Sequence, residues 1–140
     1  MTTMDSLAEQ LAAVDLFGSL RKKDRRVLAK RMKTVEFADG QDIVEEGNIS
    51  VGFHLILDGS AVVETSARRR NRLGPGDYFG EISLVDGEPR SATVRATSPL
   101  RTASMSSWEF HSLLRENPEL VSGLLKGLCA RLRDAEARVK

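Results

Sequence analysis

Apolar residues recur along this chain with two periods, helical at both ends and strand-like in the middle. In the first zone, Ser6 to Lys33, Leu7, Leu11 and Val14 share one helical face, and Ser6 with Glu9 reads as a capping box. Leu16-Phe17-Gly18 interrupts that helix, and a second is expected around Leu20 to Lys33. Between Val35 and Met105 glycine turns take over: Asp39-Gly40, Glu46-Gly47-Asn48, Asp58-Gly59, Gly74-Pro75-Gly76-Asp77 and Asp86-Gly87. Strand-length segments lie between them, at Gln41 to Glu45, Phe53 to Leu57, Ala61 to Thr65, Thr93 to Thr97 and Arg101 to Met105. This spacing predicts a Greek-key sandwich, a jelly roll or a barrel. Asp58-Gly59 is the clearest hairpin signal, because a tight two-residue turn needs positive φ.

The last zone returns to helical spacing. Ser106 with Glu109 reads as a capping box, and Asn117-Pro118-Glu119 offers an N-cap, a proline at the first helical position and an acid in the first turn. Val121, Leu125, Leu128, Leu132, Ala135 and Val139 then recur at alternating spacings of four and three, a heptad-like stripe. It suits packing on the chain's own sheet and pairing with a second subunit equally. Gly123 and Gly127, one turn apart, either weaken this helix or let another backbone approach.

A chain of 140 residues with 41% hydrophobic content fits one domain with one core. Its formal net charge of +1 provides no global field for nucleic acid or acidic membranes, so the partner must be selected locally. The basic second helix (Arg21, Lys22, Lys23, Arg25, Arg26, Lys30, Arg31, Lys33) reads as a solvated face, since no aromatic residues are interleaved to stack on bases. Arg68-Arg69-Arg70 with Arg72 is read as solvated loop at or near a turn, with an anion site as the alternative. The one cysteine, Cys129, excludes an internal disulfide and reads as a small buried apolar residue among helical leucines. No signal peptide or membrane-length apolar run occurs, which makes a cytoplasmic protein the expectation, and the many arginines and alanines fit a bacterial source.

The densest chemistry lies from Gly74 to Val94. A strand ends at Phe79, Gly80 permits a sharp backbone path, and a short apolar turn starts at Glu81 with free amides suited to an anion. Arg90 and Ser91 are expected to arrive from the next strand with a planar cationic fork and a hydroxyl, which is equipment for holding a phosphate. Glu81 is a poor neighbour for phosphate unless it bonds another part of the ligand, and a sugar hydroxyl fits. The alternative is that Glu81 and Arg90 merely pair with each other across a loop.

Phe79-Gly80-Glu81-Ile82-Ser83-Leu84 followed by Arg90-Ser91-Ala92 resembles the phosphate-binding cassette of cyclic nucleotide-binding domains, the family of the bacterial catabolite activator and the regulatory subunits of protein kinase A. Leu16-Phe17, Gly40, Gly47, Gly59 and Gly74 to Asp77 fall in the order the family shows. The resemblance implies an α+β, mainly β fold: an antiparallel β-roll, a jelly-roll-like or cupin-like sandwich, flanked by N-terminal helices and a C-terminal helical lid. Residues 1–140 would form one domain, with N-terminal helices at 6–33, the roll at 35–105, its cassette at 79–92, and C-terminal helices at 107–140.

The same resemblance implies that Glu81, after Gly80, accepts a bond from the ribose 2'-hydroxyl. Arg90, the Ser91 hydroxyl and the backbone amides near Ile82 and Ser83 would hold the cyclic phosphate. Val63 and Leu73 match positions that line the base pocket. The activator's base-contacting hydroxyls are absent from the corresponding helix, where Arg131, Arg133 or Glu136 would have to cap the base or lie in solvent. Ser91 leans the ligand toward cyclic AMP over cyclic GMP. The chain stops where that activator continues into a helix-turn-helix, so a standalone domain without direct nucleic-acid or membrane contact is the expectation.

His54 and His111 form no metal-ligand or nucleophile motif, which argues against a catalytic site or a metal. The expected function is therefore a non-catalytic regulatory domain, without a cofactor beyond its ligand, that signals through its C-terminal helix to a homodimer partner or an effector protein. The alternative is an assembly module on the same scaffold with weak or no nucleotide binding.

Overall fold

The computed structural model describes residues 4–44, 52–64, 70–86, 88 and 92–139. The chain divides into two compact units, residues 32–110 and residues 1–31 with 111–140.

The central unit is a mainly β body of two four-stranded antiparallel sheets. The first orders β1 (Lys33–Phe37), β8 (Leu100–Ser106), β3 (Gly52–Asp58) and β6 (Tyr78–Phe79) as β1-β8-β3-β6. The second orders β2 (Asp42–Val44), β7 (Thr93–Ala96), β4 (Ala61–Glu64) and β5 (Arg70–Leu73) as β2-β7-β4-β5. Alternating residues fill the interior: Ile56, Ala61, Phe79, Val94, Ala96 and Leu100 form one buried cluster, with Phe37, Ile43, Val63 and Leu73 packed against it. His54 shares a face with Ile56, stacks on Phe79 (5.0 Å, 18°) and lies 3.0 Å through Nδ1 from Thr102 Oγ1.

Two sequence expectations need correction here. Asp58-Gly59 is not a hairpin, because β3 and β4 belong to different sheets. Gly59 (φ 92°) turns against the segment 97–99, where Thr97 N donates to Ser60 O (3.0 Å) and Ser60 N donates to Ser98 Oγ (3.0 Å). Those bonds redirect the chain across the body instead of folding it back, and the ladder partner of β4 is β5. Arg72, read as loop, lies in β5 as an exposed strand residue paired in register with Val62, while Arg68 and Arg69 lie outside the described residues. The Glu46-Gly47-Asn48 turn and Gly87 also lie outside them.

The other unit is helical, with α1 (Met4–Leu11), α2 (Lys22–Arg31), α5 (Leu120–Val139) and α4 (Ser107–Glu116) from His111 onward. α1 starts two residues before Ser6, which places that serine in the first turn and not at the N-cap. Leu7, Leu11 and Val14 are buried as their spacing predicts. α2 ends at Arg31, earlier than expected, because Lys33 already pairs with Ser104 in the sheet. Most of its basic residues are exposed. Arg25 is an exception, half-buried and donating to the carbonyls of Ala8 (3.2 Å) and Leu20 (2.6 Å).

Before α5, the Asn117 side chain donates back to Leu113 O (3.1 Å), closing α4 instead of capping the next helix. α5 buries Leu120, Leu124 and Gly127, one turn-periodic face offset from the expected stripe. Val121, Leu125, Leu132 and Val139 are 39%, 56%, 63% and 87% exposed. Gly127 explains the choice of face, since an added Cβ there would sit 2.5 Å from Leu16 O and 3.0 Å from Asp15 O. The close approach of another backbone is therefore the role of that glycine. Cys129, expected to be buried, is exposed, because it lies away from the Leu120–Leu124–Gly127 face.

Candidate functional site

The short strand β6 brings Phe79 into the apolar interior, and the chain turns at once. Gly80 adopts φ 87°, a left-handed conformation that a side chain would strain, and α3 (Glu81–Asp86) follows directly. The first helical bond is donated by Leu84 N to Gly80 O (3.0 Å), so the amides of Glu81, Ile82 and Ser83 have no intrahelical acceptor. The short apolar turn expected at Glu81 is thus a helix of six residues. Glu81 is half-buried, Ile82 is 56% exposed, and Ser83 and Leu84 are buried.

Val63 and Leu73 are diagonal neighbours on β4 and β5, both facing the cluster that contains Phe79. The structure therefore places the two residues expected to line a base pocket on the same apolar interior as the strand leading into Gly80. Arg90 and Ser91 lie outside the described residues, between α3 and β7. Arg131 is half-buried, and Arg133 and Glu136 are exposed, all three on α5 in the helical unit.

Arg95, a few residues beyond, points away from the interior, since Val94 and Ala96 on either side belong to the buried cluster. Its Nε donates to Asp42 Oδ1 at 2.7 Å, and Nη1 lies 3.9 Å from Glu64 Oε1. The bond and charge of Asp42, then Glu64, raise the guanidinium pKa further above its ordinary value. That arrangement commits Arg95 to the sheet surface. A cleft of about 530 Å³ lies among Ser60, Ala61, Val62, Arg72 and Thr97, none of them a cassette residue.

One bond could not be anticipated from spacing. Ser107 Oγ donates to Leu84 O (3.0 Å), joining the start of α4 to the far end of α3. The sequence signal is faint: two serines precede Trp108, and only the first is needed as a cap, since Glu109 N donates to Ser106 Oγ (3.0 Å). His54, read as structural or surface, is a half-buried interior residue, and among the described residues no group of three or more His, Cys, Asp or Glu could hold a metal.

A family model for the cyclic nucleotide-binding domain matches residues 34–117. The chain belongs to that family. A curated relative, a cAMP-dependent protein kinase regulatory subunit from Mucor circinelloides f. lusitanicus, is 35% identical over 108 residues, covering 74% of this chain but 25% of the relative. The chain thus spans about a quarter of that protein. Among solved structures, the N-terminal domain of a transcriptional regulator from Streptomyces coelicolor A3(2) superposes with TM-score 0.78 at 27% identity, covering 90% of this chain and 94% of that one. The regulatory domain of Toxoplasma gondii PKA, crystallised with cAMP, gives 0.67 at 28% identity over 85% of this chain and 48% of that one. The Thermus thermophilus catabolite activator protein gives 0.68 at 25% identity over 89% and 61%. These neighbours share the β-roll with flanking helices expected from the sequence. No described helix is long and apolar enough to cross a membrane.

Proposed function

We propose that residues 1–140 act as one non-catalytic, cytoplasmic regulatory domain that binds a cyclic nucleotide, cyclic AMP ahead of cyclic GMP, and signals through its C-terminal helix. The observation that carries this reading is left-handed Gly80 leading from buried Phe79 straight into α3, whose first-turn amides have no intrahelical acceptor. Glu81 then takes the ribose 2'-hydroxyl. Arg90, Ser91 and the amides of Ile82 and Ser83 take the phosphate, and Val63 and Leu73 face the base. Arg131, Arg133 and Glu136 on α5 are the groups proposed to cap it. Arg95 does not compete for the phosphate, because Asp42 and Glu64 hold it on the outer face. Cyclic AMP is favoured by Ser91 and by the relatives, one named for cAMP dependence and one crystallised with cAMP.

The test is calorimetric titration of nucleotide-stripped protein with each cyclic nucleotide. Saturable one-site binding, tighter for cyclic AMP, is expected, and absence of heat with both would sink the reading. A second reading, an assembly module, draws on the exposed stripe Val121, Leu125, Leu132 and Val139. It requires self-association that depends on protein concentration and is unaffected by nucleotide.

A further inference from the structure

The outer face of the second sheet carries a cleft that the cassette does not use. Alternation along the strands fixes which residues turn toward it: Ala61 and Ala96 join the buried cluster and Val63 and Leu73 pack against it, so Ser60, Val62, Arg72 and Thr97 face the other way. These residues, with Ala61, line about 530 Å³, which falls within the range of about 300–1,000 Å³ usual for small-molecule sites. Val62 stands in register between Arg72 on β5 and Arg95 on β7. Arg95 is committed to Asp42 and Glu64, whereas Arg72 is exposed and has no carboxylate partner among the described residues. In the same cleft Ser60 Oγ and Thr97 Oγ1 lie 2.8 Å apart. One hydroxyl donates to the other, and the hydrogen of the accepting hydroxyl is left over, with no further acceptor among the described residues.

We propose that this cleft is a second ligand site, separate from the cassette, and that it takes a small organic carboxylate. Arg72 offers a planar fork that matches the two oxygens of a carboxylate, and the spare hydrogen of the Ser60–Thr97 pair adds a further donor. Charge on this face selects a monoanion. Arg72 supplies one uncommitted positive charge, Arg95 is offset by Asp42 and Glu64, and Glu64 on the same face repels a second negative charge. Inorganic phosphate, largely dianionic at neutral pH, is the poorer match. The volume exceeds what a carboxylate group alone fills, so the ligand brings an organic body with it. Because Arg72 is exposed, solvent screens the pair and binding should lie in the millimolar range. Val63 and Leu73 present the opposite face of the same strands to the interior, so a ligand here leaves the expected base pocket open.

The test is to follow amide NMR spectra of the full chain, at constant ionic strength, during titration with benzoate, with its neutral counterpart benzamide and with inorganic phosphate. Benzoate should give saturable shifts at Ser60, Val62, Arg72 and Thr97, benzamide should give none, and phosphate should bind more weakly. Arg72→Gln, at an exposed strand position, should weaken benzoate binding about tenfold or more for the lost charge-assisted bonds, and Ser60→Ala should weaken it about threefold to tenfold for one neutral hydrogen bond. The absence of saturable benzoate shifts, equal shifts from benzamide, or unchanged benzoate affinity in Arg72→Gln would overturn the proposal. So would phosphate binding tighter than benzoate, or benzoate shifts confined to residues 79–84, which would put the anion at the cassette. No arm of the experiment needs a bound nucleotide, so its outcome is independent of the proposed function.

Discussion

Gly127 on α5 permits a test in which two physical effects have opposite signs. In an isolated helix, replacing an interior glycine with alanine stabilises by about 0.8–1 kcal/mol, because the unfolded backbone has less entropy to lose. At position 127, however, the new Cβ would lie 2.5 Å from Leu16 O, 3.0 Å from Asp15 O and 3.1 Å from Leu16 C. All three atoms are backbone, so no side-chain rotation relieves the overlap, and α5 must move from the Asp15–Leu16 segment by several tenths of an ångström. Such overpacking costs about 1–3 kcal/mol and occasionally more. Because the overlap is with backbone, its cost should fall in the upper part of that range, about 2–3 kcal/mol, and with the helical gain set against it Gly127→Ala should lose about 1–2 kcal/mol, lowering Tm by roughly 3–7 °C for a chain of this size.

Gly123→Ala is the matched control. Its Cβ would meet Leu20 Cδ2 at 2.6 Å, the tip of a side chain that can change rotamer at about 0.5–1.5 kcal/mol, so the net effect should lie within about 0.5 kcal/mol of zero. Urea and thermal melts of the three proteins decide the matter. A Gly127→Ala protein as stable as wild type, or less affected than Gly123→Ala, would refute the close approach as the reason α5 presents this face.

The remaining predictions concern the ligand. Arg90→Ala should weaken cyclic AMP binding by about 30-fold to 1000-fold, the equivalent of about 2–4 kcal/mol for lost charge-assisted bonds, and a loss below about threefold with the fold intact would place the phosphate elsewhere. Wild type should bind 2'-deoxy cyclic AMP less well than cyclic AMP, and Glu81→Ala should lose that preference; equal affinities in wild type would remove Glu81 from the ribose. Saturating cyclic AMP should slow amide exchange in the cassette and across residues 118–140, with both effects absent in Arg90→Ala. Protection confined to the cassette would mean that the signal does not travel through α5.

Much of this protein is written locally. Ser106 caps α4 three residues ahead of Glu109, Leu7, Leu11 and Val14 recur at helical spacing, and Gly80 stands between an apolar strand and the acid that opens α3. Each feature depends on the few residues around it, because capping bonds, helical faces and left-handed turns close within about one or two turns of chain. Glycine-punctuated strands predict a Greek-key sandwich, jelly roll or barrel in the same way, and the resemblance carried by the ordered cassette residues implies the β-roll and a cyclic nucleotide ligand.

What the chain left open were choices between surfaces far apart in sequence. Asp58-Gly59 carries a hairpin signature, but the bonds to Ser98 and from Thr97 that make it a crossing come from nearly 40 residues away. The heptad-like stripe on α5 is real as a pattern, yet the helix buries the adjacent face, since only glycine at 127 lets it meet the backbone of Leu16. Arg72 was read as loop because its neighbours are arginines, and ladder pairing with β4 overrode that composition. Ser107 carries no reading in the sequence, and its bond to Leu84 O forms only because folding brings together two residues 23 positions apart. Patterns along the chain specify which elements form, whereas buried atoms that must find partners and steric gaps that only one side chain fits decide how those elements meet.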